Sequence, residues 1–307
     1  KNLDGLPPVR QGVSLDFFRR LEKDKDKYRK WIGELYFEYH QGTYTSEALT
    51  KKNNRRMEQA LHNLELYEAA AGRVVAKTLL DEIWKEALLY QFHDILPGSS
   101  IERVYKECNA RYAVLLEQVS GYIKKAQENI AVNIDTSDYK EPFVVFNTLS
   151  WERTDWVKTN KGWQKATVPA LGYAVIEDNF SDIPDCLNFT ENSIQNDIFK
   201  VVFGSDGRIA SIKELETGRE VLPEGQGNKL ALYHDETRLG SNAWDFPISV
   251  YDRKVDYPSL IEMKTYTDGP QVICCQKYQV SKSTIEQKIV LIAGSRRIDF
   301  KTHVNWQ

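Results

Sequence analysis

The sequence predicts an α+β protein in which a three-helix bundle is followed by an antiparallel β-sandwich. Within residues 46–131, apolar side chains recur at helical spacing in three long segments. From Phe143 onward, short β-branched and aromatic runs alternate with Gly, Asp, Asn and Pro turns. The polar stretch 135–142 between these halves has the composition of a linker. With 307 residues, the chain is long enough for about two domains.

The three helical segments are expected at about 46–71, 73–92 and 100–131. Gly72 ends the first, and the second stops before Pro97, because the residue preceding a proline disfavours helix. Ser99 and Glu102 have capping-box spacing at the start of the third. Short connections between long helices favour antiparallel neighbours and hence a bundle. The apolar faces expected are Met57, Leu61, Leu64 and Tyr67 or Glu68 in the first helix, Val75, Leu79, Ile83 or Trp84, Leu88 and Phe92 in the second, and Val104, Cys108, Tyr112, Leu115 and Val119 in the third.

The second half reads as an antiparallel β region. Ser205-Asp206-Gly207 lies between two apolar runs and predicts a tight hairpin turn. Several such short strands, separated by turn residues, favour a sandwich. Cys274 and Cys275 are adjacent in one run and would point to opposite faces of a strand, which disfavours a disulfide between them.

Composition excludes several classes of function. The net charge is −3 and there is no long basic stripe, so nothing indicates nucleic-acid binding. The densest basic cluster, KKNNRR at 51–56, is interpreted as a solvated helix face. No apolar run reaches the length of a membrane span. The four cysteines include no CxxC pair, and reduced thiols predict a cytoplasmic protein.

The dipeptide His93-Asp94 is the first candidate for chemistry. It lies at the end of an apolar helix and directly before the turn Leu96-Pro97-Gly98. A neutral imidazole nitrogen is a good zinc ligand, and the adjacent carboxylate suits a sugar hydroxyl or a role supporting the ligand. The alternative is a helix-terminal histidine favoured by the helix dipole, beside a solvated aspartate.

A second cluster contains Glu34, Glu38, His40 and Tyr44. Carboxylates beside a tyrosine and a histidine suit a polyol, whose hydroxyls need donors and acceptors together. The alternative is an exposed, charged loop. A third candidate, Trp244 in the stretch 242–245, either stacks on a sugar face or anchors a buried loop.

Several ordered strings resemble the α-mannosidases of glycoside hydrolase family 38, in their bacterial and cytosolic branch. The most specific is LLDEIWKEALLYQFHDILPGSSIERVY at 79–105, within which QFHDILPGSS stands out. GELYFEYHQGTYTS at 33–46, NNRRMEQAL at 53–61 and NAWDF at 242–246 also resemble that family, as do FVVFNTLSWERTDWV and VPALGYAVIE near the start of the β region.

The resemblance implies an architecture and a reaction. Residues 1–44 would be the end of a catalytic α/β domain, 45–134 a three-helix middle domain, and 141–307 part of the C-terminal β region. The reaction implied is retaining hydrolysis of terminal α-mannosidic bonds in mannose-containing oligosaccharides, with the nucleophile outside this chain. Assembly into a homo-oligomer is compatible with the sequence.

The resemblance also implies roles for individual residues. His93 would be one ligand of a single Zn²⁺ ion whose other ligands lie further towards the N-terminus, and Asp94 would contact substrate. Glu34, His40 and Tyr44 would line the sugar subsite, and Glu38 is a candidate for the acid/base. Two alternatives remain open. One is a non-catalytic carbohydrate-binding or scaffold module, and the other is a different polysaccharide hydrolase with the same type of sandwich.

Overall fold

The computed structural model describes residues 4–35, 39–222, 227–234, 243–245 and 248–307. The chain divides into two units, Lys1–Tyr39 and His40–Gln307. In the first unit, helix α1 spans Ser14–Glu22 and a short 3-10 helix spans Lys25–Lys27. Within the described ranges, no helix has the length and apolarity needed to cross a membrane.

Three long helices begin the second unit. Helix α2 spans Ala48–Ala71, α3 spans Lys77–Tyr90 and α4 spans Glu102–Ala131. Gly72 follows α2 with a φ of 83°, a conformation that glycine adopts without strain, so the predicted stop is confirmed. The helices share one core formed by Met57, Leu61, Leu64, Val75, Leu80, Ile83, Ala87, Cys108, Tyr112, Leu115 and Val119.

Two details predicted for the helices are wrong. Leu79 and Leu88 on α3 are exposed, as is Phe92 in the turn that follows, whereas Leu80 and Ala87 fill the core with Ile83. Apolar residues occur in adjacent pairs along this helix, so periodicity alone cannot select the buried one.

The capping box at the start of α4 does not form either, because Ile101 is the N-cap and no side chain caps the helix. The Ser99 hydroxyl instead lies 3.4 Å from both the carbonyl oxygen and a carboxylate oxygen of Asp94.

The chain from Pro142 onward forms antiparallel strands. Strands β1 (Pro142–Asn147) and β4 (Gly172–Glu177) pair with each other, as do β2 (Arg153–Lys158) and β3 (Trp163–Val168). One four-stranded sheet contains β5 (Asn188–Thr190), β6 (Ser193–Gln195), β7 (Phe199–Phe203) and β8 (Ile209–Glu214) in sequence order. The short strands β9 (Leu232–Tyr233) and β10 (Val255–Asp256) pair separately.

A second four-stranded sheet packs against the first. It contains β11 (Ser259–Asp268), β12 (Gln271–Val280), β13 (Ser283–Ile292) and β14 (Ile298–Asn305), also in sequence order. The core between the sheets consists of Ile194, Val201, Phe203, Ile209, Ile212, Val272, Cys274, Ile289 and Leu291. A three-helix bundle followed by an antiparallel sandwich is therefore confirmed, whereas the domain boundaries stay a prediction.

Local predictions for the β region are also confirmed. Gly207 turns the β7–β8 hairpin with a φ of 81°, and the Asp206 carboxylate accepts the backbone N–H of Arg208 at 3.1 Å. Cys274 is buried in the sandwich while Cys275 is only partly buried, and all four cysteines are free thiols.

Candidate functional site

The turn that follows α3 carries His93 and Asp94. Successive backbone bonds fold it tightly, from Phe92 N–H to Leu89 O at 3.0 Å and from Ile95 N–H to Phe92 O at 2.8 Å. The His93 ring lies on the ring of Phe92, with centroids 4.1 Å apart. Its Nε2 atom is 3.5 Å from Asp94 Oδ2, yet 77% of the side chain is exposed. The imidazole is therefore oriented by its neighbours but open on its outer side.

Helix α2 holds the beginning of this turn. The side-chain amide of Gln91 donates to Asn54 Oδ1 at 3.1 Å and to Glu58 Oε1 at 3.0 Å. Asn54 is buried and also accepts the Tyr112 hydroxyl at 3.3 Å. A buried polar network of this kind fixes one relative arrangement of the helices, because each group would lose its partner in any other.

Helix α4 holds the middle of the turn. The Tyr105 hydroxyl accepts the Ser100 N–H at 2.6 Å and donates to the Asp94 carbonyl at 3.2 Å. The tyrosine is only 5% exposed, and burial raises its pKa above the ordinary range. It therefore stays protonated and able to donate to Asp94 at neutral pH.

A third contact comes from the segment 40–46. Gly98 has a φ of 93°, and a Cβ atom placed on it would lie 2.6 Å from the Cβ of Ser46. This close approach requires glycine at position 98. Lys51 of α2 donates to the Leu96 carbonyl at 2.8 Å and to the Ser46 carbonyl, and so links the two segments.

The segment 40–46 contains two of the predicted sugar-binding residues. His40 has a left-handed backbone with a φ of 60°, and its carbonyl accepts the Thr43 hydroxyl at 2.6 Å. A 3-10 helix follows at Gln41–Tyr44, and 73% of Tyr44 is exposed. The tyrosine is thus available to a ligand.

Residues 243–245 of the β region contact this segment. The Asp245 carboxylate accepts the Gln41 N–H at 2.9 Å, and the Trp244 ring lies 4.8 Å from the His40 ring. The Ser46 hydroxyl lies 3.0 Å from the Ala243 carbonyl. Trp244 therefore contacts the predicted subsite, and this contact favours the loop-anchor interpretation of its role.

Glu34 and Glu38 are the remaining predicted residues. Glu34 belongs to the first unit, where it is exposed and its carbonyl accepts the Trp31 indole N–H at 3.0 Å. Glu38 lies outside the described residues. Among the residues that are described, no three His, Cys, Asp or Glu side chains gather closely enough to hold a metal ion.

Several residues important to the geometry were not singled out from the sequence. Lys51 and Asn54 lie in the KKNNRR stretch, interpreted as a solvated face, yet Asn54 is buried and Lys51 is partly buried between two carbonyls. The interpretation holds for Lys52 and Arg55, which are exposed. The sequence did contain a signal of this buried polar contact, namely two adjacent asparagines within a helix. Asparagine is unfavourable in helix interiors unless its amide has a partner.

Two family models match the chain. Residues 38–130 match the α-mannosidase middle domain, and residues 194–307 match the C-terminal domain of glycosyl hydrolases of family 38. The helical and β parts thus correspond to consecutive domains of one class of protein, the glycoside hydrolases.

Curated relatives extend this match over the rest of the chain. Alpha-mannosidase G of Dictyostelium discoideum is 29% identical over 377 residues, covering 100% of this chain and 34% of that protein. Alpha-mannosidase 2C1 of Homo sapiens is 30% identical over 330 residues, covering 99% of this chain and 31% of that protein. The chain thus spans about a third of the length of these relatives.

A solved structure has the same fold. A protein of glycosyl hydrolase family 38 from Enterococcus faecalis superposes with a TM-score of 0.64 at 15% identity, covering 95% of this chain and 47% of that one. The two matching family models, which cover residues 38–130 and 194–307, show that the chain belongs to glycoside hydrolase family 38.

Proposed function

We propose that this chain is part of a zinc-dependent, retaining α-mannosidase that acts on mannose-containing oligosaccharides. The main support is the turn after α3, which is held by α2, by α4 and by Ser46 while the His93 ring stays exposed. An exposed polar side chain on so constrained a turn suits a ligand or substrate group. Family membership and the names of the relatives supply the substrate class.

The donor atoms present fit one side of a zinc site. His93 offers an imidazole nitrogen, and Asp94 lies close enough to orient that ring. Zinc sites in proteins normally use three or four protein ligands. Since the described residues provide no third donor near His93, we propose that the other ligands and the nucleophile come from residues outside this chain.

Each candidate site residue would then have a defined role. A bound zinc ion would hold mannose hydroxyls and stabilise charge at the sugar. His93 would hold the metal from the bundle side, and Asp94 would accept a hydrogen bond from a sugar hydroxyl. His40 and Tyr44 would line the subsite, to which Glu34 would add a carboxylate.

Retention requires two carboxyl groups about 5 to 5.5 Å apart, one acting as nucleophile and the other as acid and then base. Glu38 is our candidate for the acid/base. The four free thiols support a reducing, cytoplasmic location.

The test is His93→Ala in a polypeptide that contains this chain at the full length of its relatives. We expect zinc content and turnover of an aryl α-mannoside both to fall. The matched control is His62→Ala, which removes an exposed histidine from the surface of α2. Unchanged zinc stoichiometry and turnover in the His93 variant would refute the proposal.

The 307-residue chain alone is expected to be inactive on the same substrate and to bind zinc only weakly, because one imidazole and one carboxylate make an incomplete site. Robust turnover by the purified chain would show that the nucleophile lies within it. Tight glycan binding by the chain, with no hydrolysis even at full length, would instead favour the non-catalytic carbohydrate-binding module.

A further inference from the structure

Lys51 makes two contacts that differ from those of a typical surface lysine. Its ammonium group donates to the carbonyl of Ser46 and, at 2.8 Å, to the carbonyl of Leu96. These carbonyls belong to different parts of the candidate site, since Ser46 ends the segment with His40 and Tyr44, and Leu96 lies three residues after His93. One side chain thus joins the expected sugar subsite to the expected metal ligand.

The position of Lys51 is unfavourable for the helix that carries it. Lys51 lies in the first turn of α2, where the positive end of the helix dipole repels a cation. Burial lowers its pKa, and Glu47 opposes this only in part. Since helix stability does not explain a lysine here, the explanation lies in the two carbonyls that it binds.

Ser46, one partner of Lys51, also contacts two other parts of the chain. Its hydroxyl lies 2.8 Å from the Gly42 carbonyl and 3.0 Å from the Ala243 carbonyl. Its Cβ and backbone fill the space beside Gly98, where a Cβ could not be accommodated. A shift of Ser46 would therefore be transmitted to the loop at 243–245 and to the turn after α3.

We infer that Lys51 is a positioning residue, which sets the place of the His93 turn relative to the segment with His40 and Tyr44. The inference rests on the proposed function, because it takes His93 as a metal ligand and His40 and Tyr44 as sugar contacts. Lys51 touches neither metal nor substrate and acts through the carbonyls of Ser46 and Leu96.

The test compares Lys51→Met with Lys51→Arg and Lys52→Met. Methionine keeps most of the volume and removes the donors, whereas arginine keeps the charge and can donate to two carbonyls. Lys52 is the next residue along α2 and is exposed, so its replacement by methionine removes the same charge without these contacts.

The first measurement is zinc affinity in the polypeptide at the full length of its relatives. Groups that support a metal ligand typically contribute about 10- to 100-fold to metal affinity. We expect a loss of that size in Lys51→Met, recovery of most of it in Lys51→Arg, and no change in Lys52→Met. Substrate KM should also rise in Lys51→Met, because the sugar subsite moves with Ser46.

The second measurement needs no metal and uses amide hydrogen exchange. The amides of Ile95, Leu96 and Gly98 are hydrogen-bonded within the turn and should exchange faster in Lys51→Met. Amides in the middle of α4 should be unaffected, which separates local loosening from global unfolding. If Lys51→Met fails to fold, Lys51→Gln, which keeps one donor group, is measured in the same way and should show the same local effect.

The outcomes separate this inference from the proposed function. If His93→Ala leaves zinc affinity unchanged, the proposed function fails whatever Lys51 does. If His93→Ala abolishes zinc binding while Lys51→Met behaves like Lys52→Met in both affinity and turn exchange, the inference about Lys51 is overturned.

Discussion

Replacing Tyr105 by phenylalanine removes one hydroxyl and leaves the ring in place. That hydroxyl accepts the Ser100 N–H at 2.6 Å and donates to the Asp94 carbonyl at 3.2 Å, so two hydrogen bonds are lost. Each is worth about 0.5 to 1.5 kcal/mol net. Because the ring still fills its site in the bundle, we expect the free energy of unfolding to fall by about 1 to 3 kcal/mol.

The matched control is Tyr122→Phe on the same helix. Tyr122 is partly buried, and its hydroxyl has no hydrogen-bond partner within the described ranges. Urea unfolding followed by far-ultraviolet circular dichroism should give a lower midpoint for Tyr105→Phe and almost no change for Tyr122→Phe. Equal midpoints would refute the argument that the Tyr105 hydroxyl anchors the turn.

Three further outcomes are expected. Gly98→Ala should destabilise the protein about 1 to 3 kcal/mol more than Gly72→Ala, because both glycines have positive φ but only the Cβ at 98 meets Ser46; equal unfolding midpoints would contradict this. Hydrogen bonds from Arg111 lower the pKa of Glu86, so this pair stabilises the fold above the ordinary pKa of 4.5 and loses its effect as pH falls; Glu86→Gln should flatten the acid limb of a stability–pH curve, and an unchanged limb would count against the pair. Burial raises the pKa of the Cys274 thiol to about 12, so a thiol reagent at mildly alkaline pH should modify it only after unfolding, and rapid reaction in the native state would contradict its burial.

The sequence predicted the helices well because their buried faces are strongly periodic. Met57, Leu61 and Leu64 recur at helical spacing, and all three are completely buried. The same reasoning failed on α3, where Leu79 and Leu80 are both apolar and only their packing against the other helices decides which is buried. Periodicity identifies a helix, but it identifies the buried face only where the apolar residues have polar neighbours in sequence.

The edge strand β11 shows a similar limit. Charged residues interrupt it, with Glu262 and Lys264 flanking Met263, and so it lacks the continuous β-branched run that marks a buried strand. It is nevertheless a full member of the sheet, paired with β12 from Ser259 to Asp268 with one shift in register between Leu260 and Glu262. Charged side chains suit an edge, because they discourage pairing with other chains.

The sequence offered candidate site residues, but it did not indicate the contacts that hold them in place. His93 and Asp94 stood out because QFHDILPGSS resembles the family and places them directly before a Pro-Gly turn. The contacts of Lys51 with Leu96 and of Asp245 with Gln41 did not stand out, because they join residues far apart in sequence. Such pairs leave no periodic pattern, so their partners are known only once the fold places them together.

The hydrogen bond from Gln41 to Asp245 has a consequence for biosynthesis, because 204 residues separate the two. At about 5 to 20 residues per second, Asp245 is synthesised roughly 10 to 40 s after Gln41. Bundle helices form in far less time than this. The segment with His40 and Tyr44 therefore lacks its hydrogen bond to Asp245 until most of the β region has been made. In the newly made chain, completion of this segment is a late event, and its timing is set by the rate of synthesis rather than by the folding of the bundle.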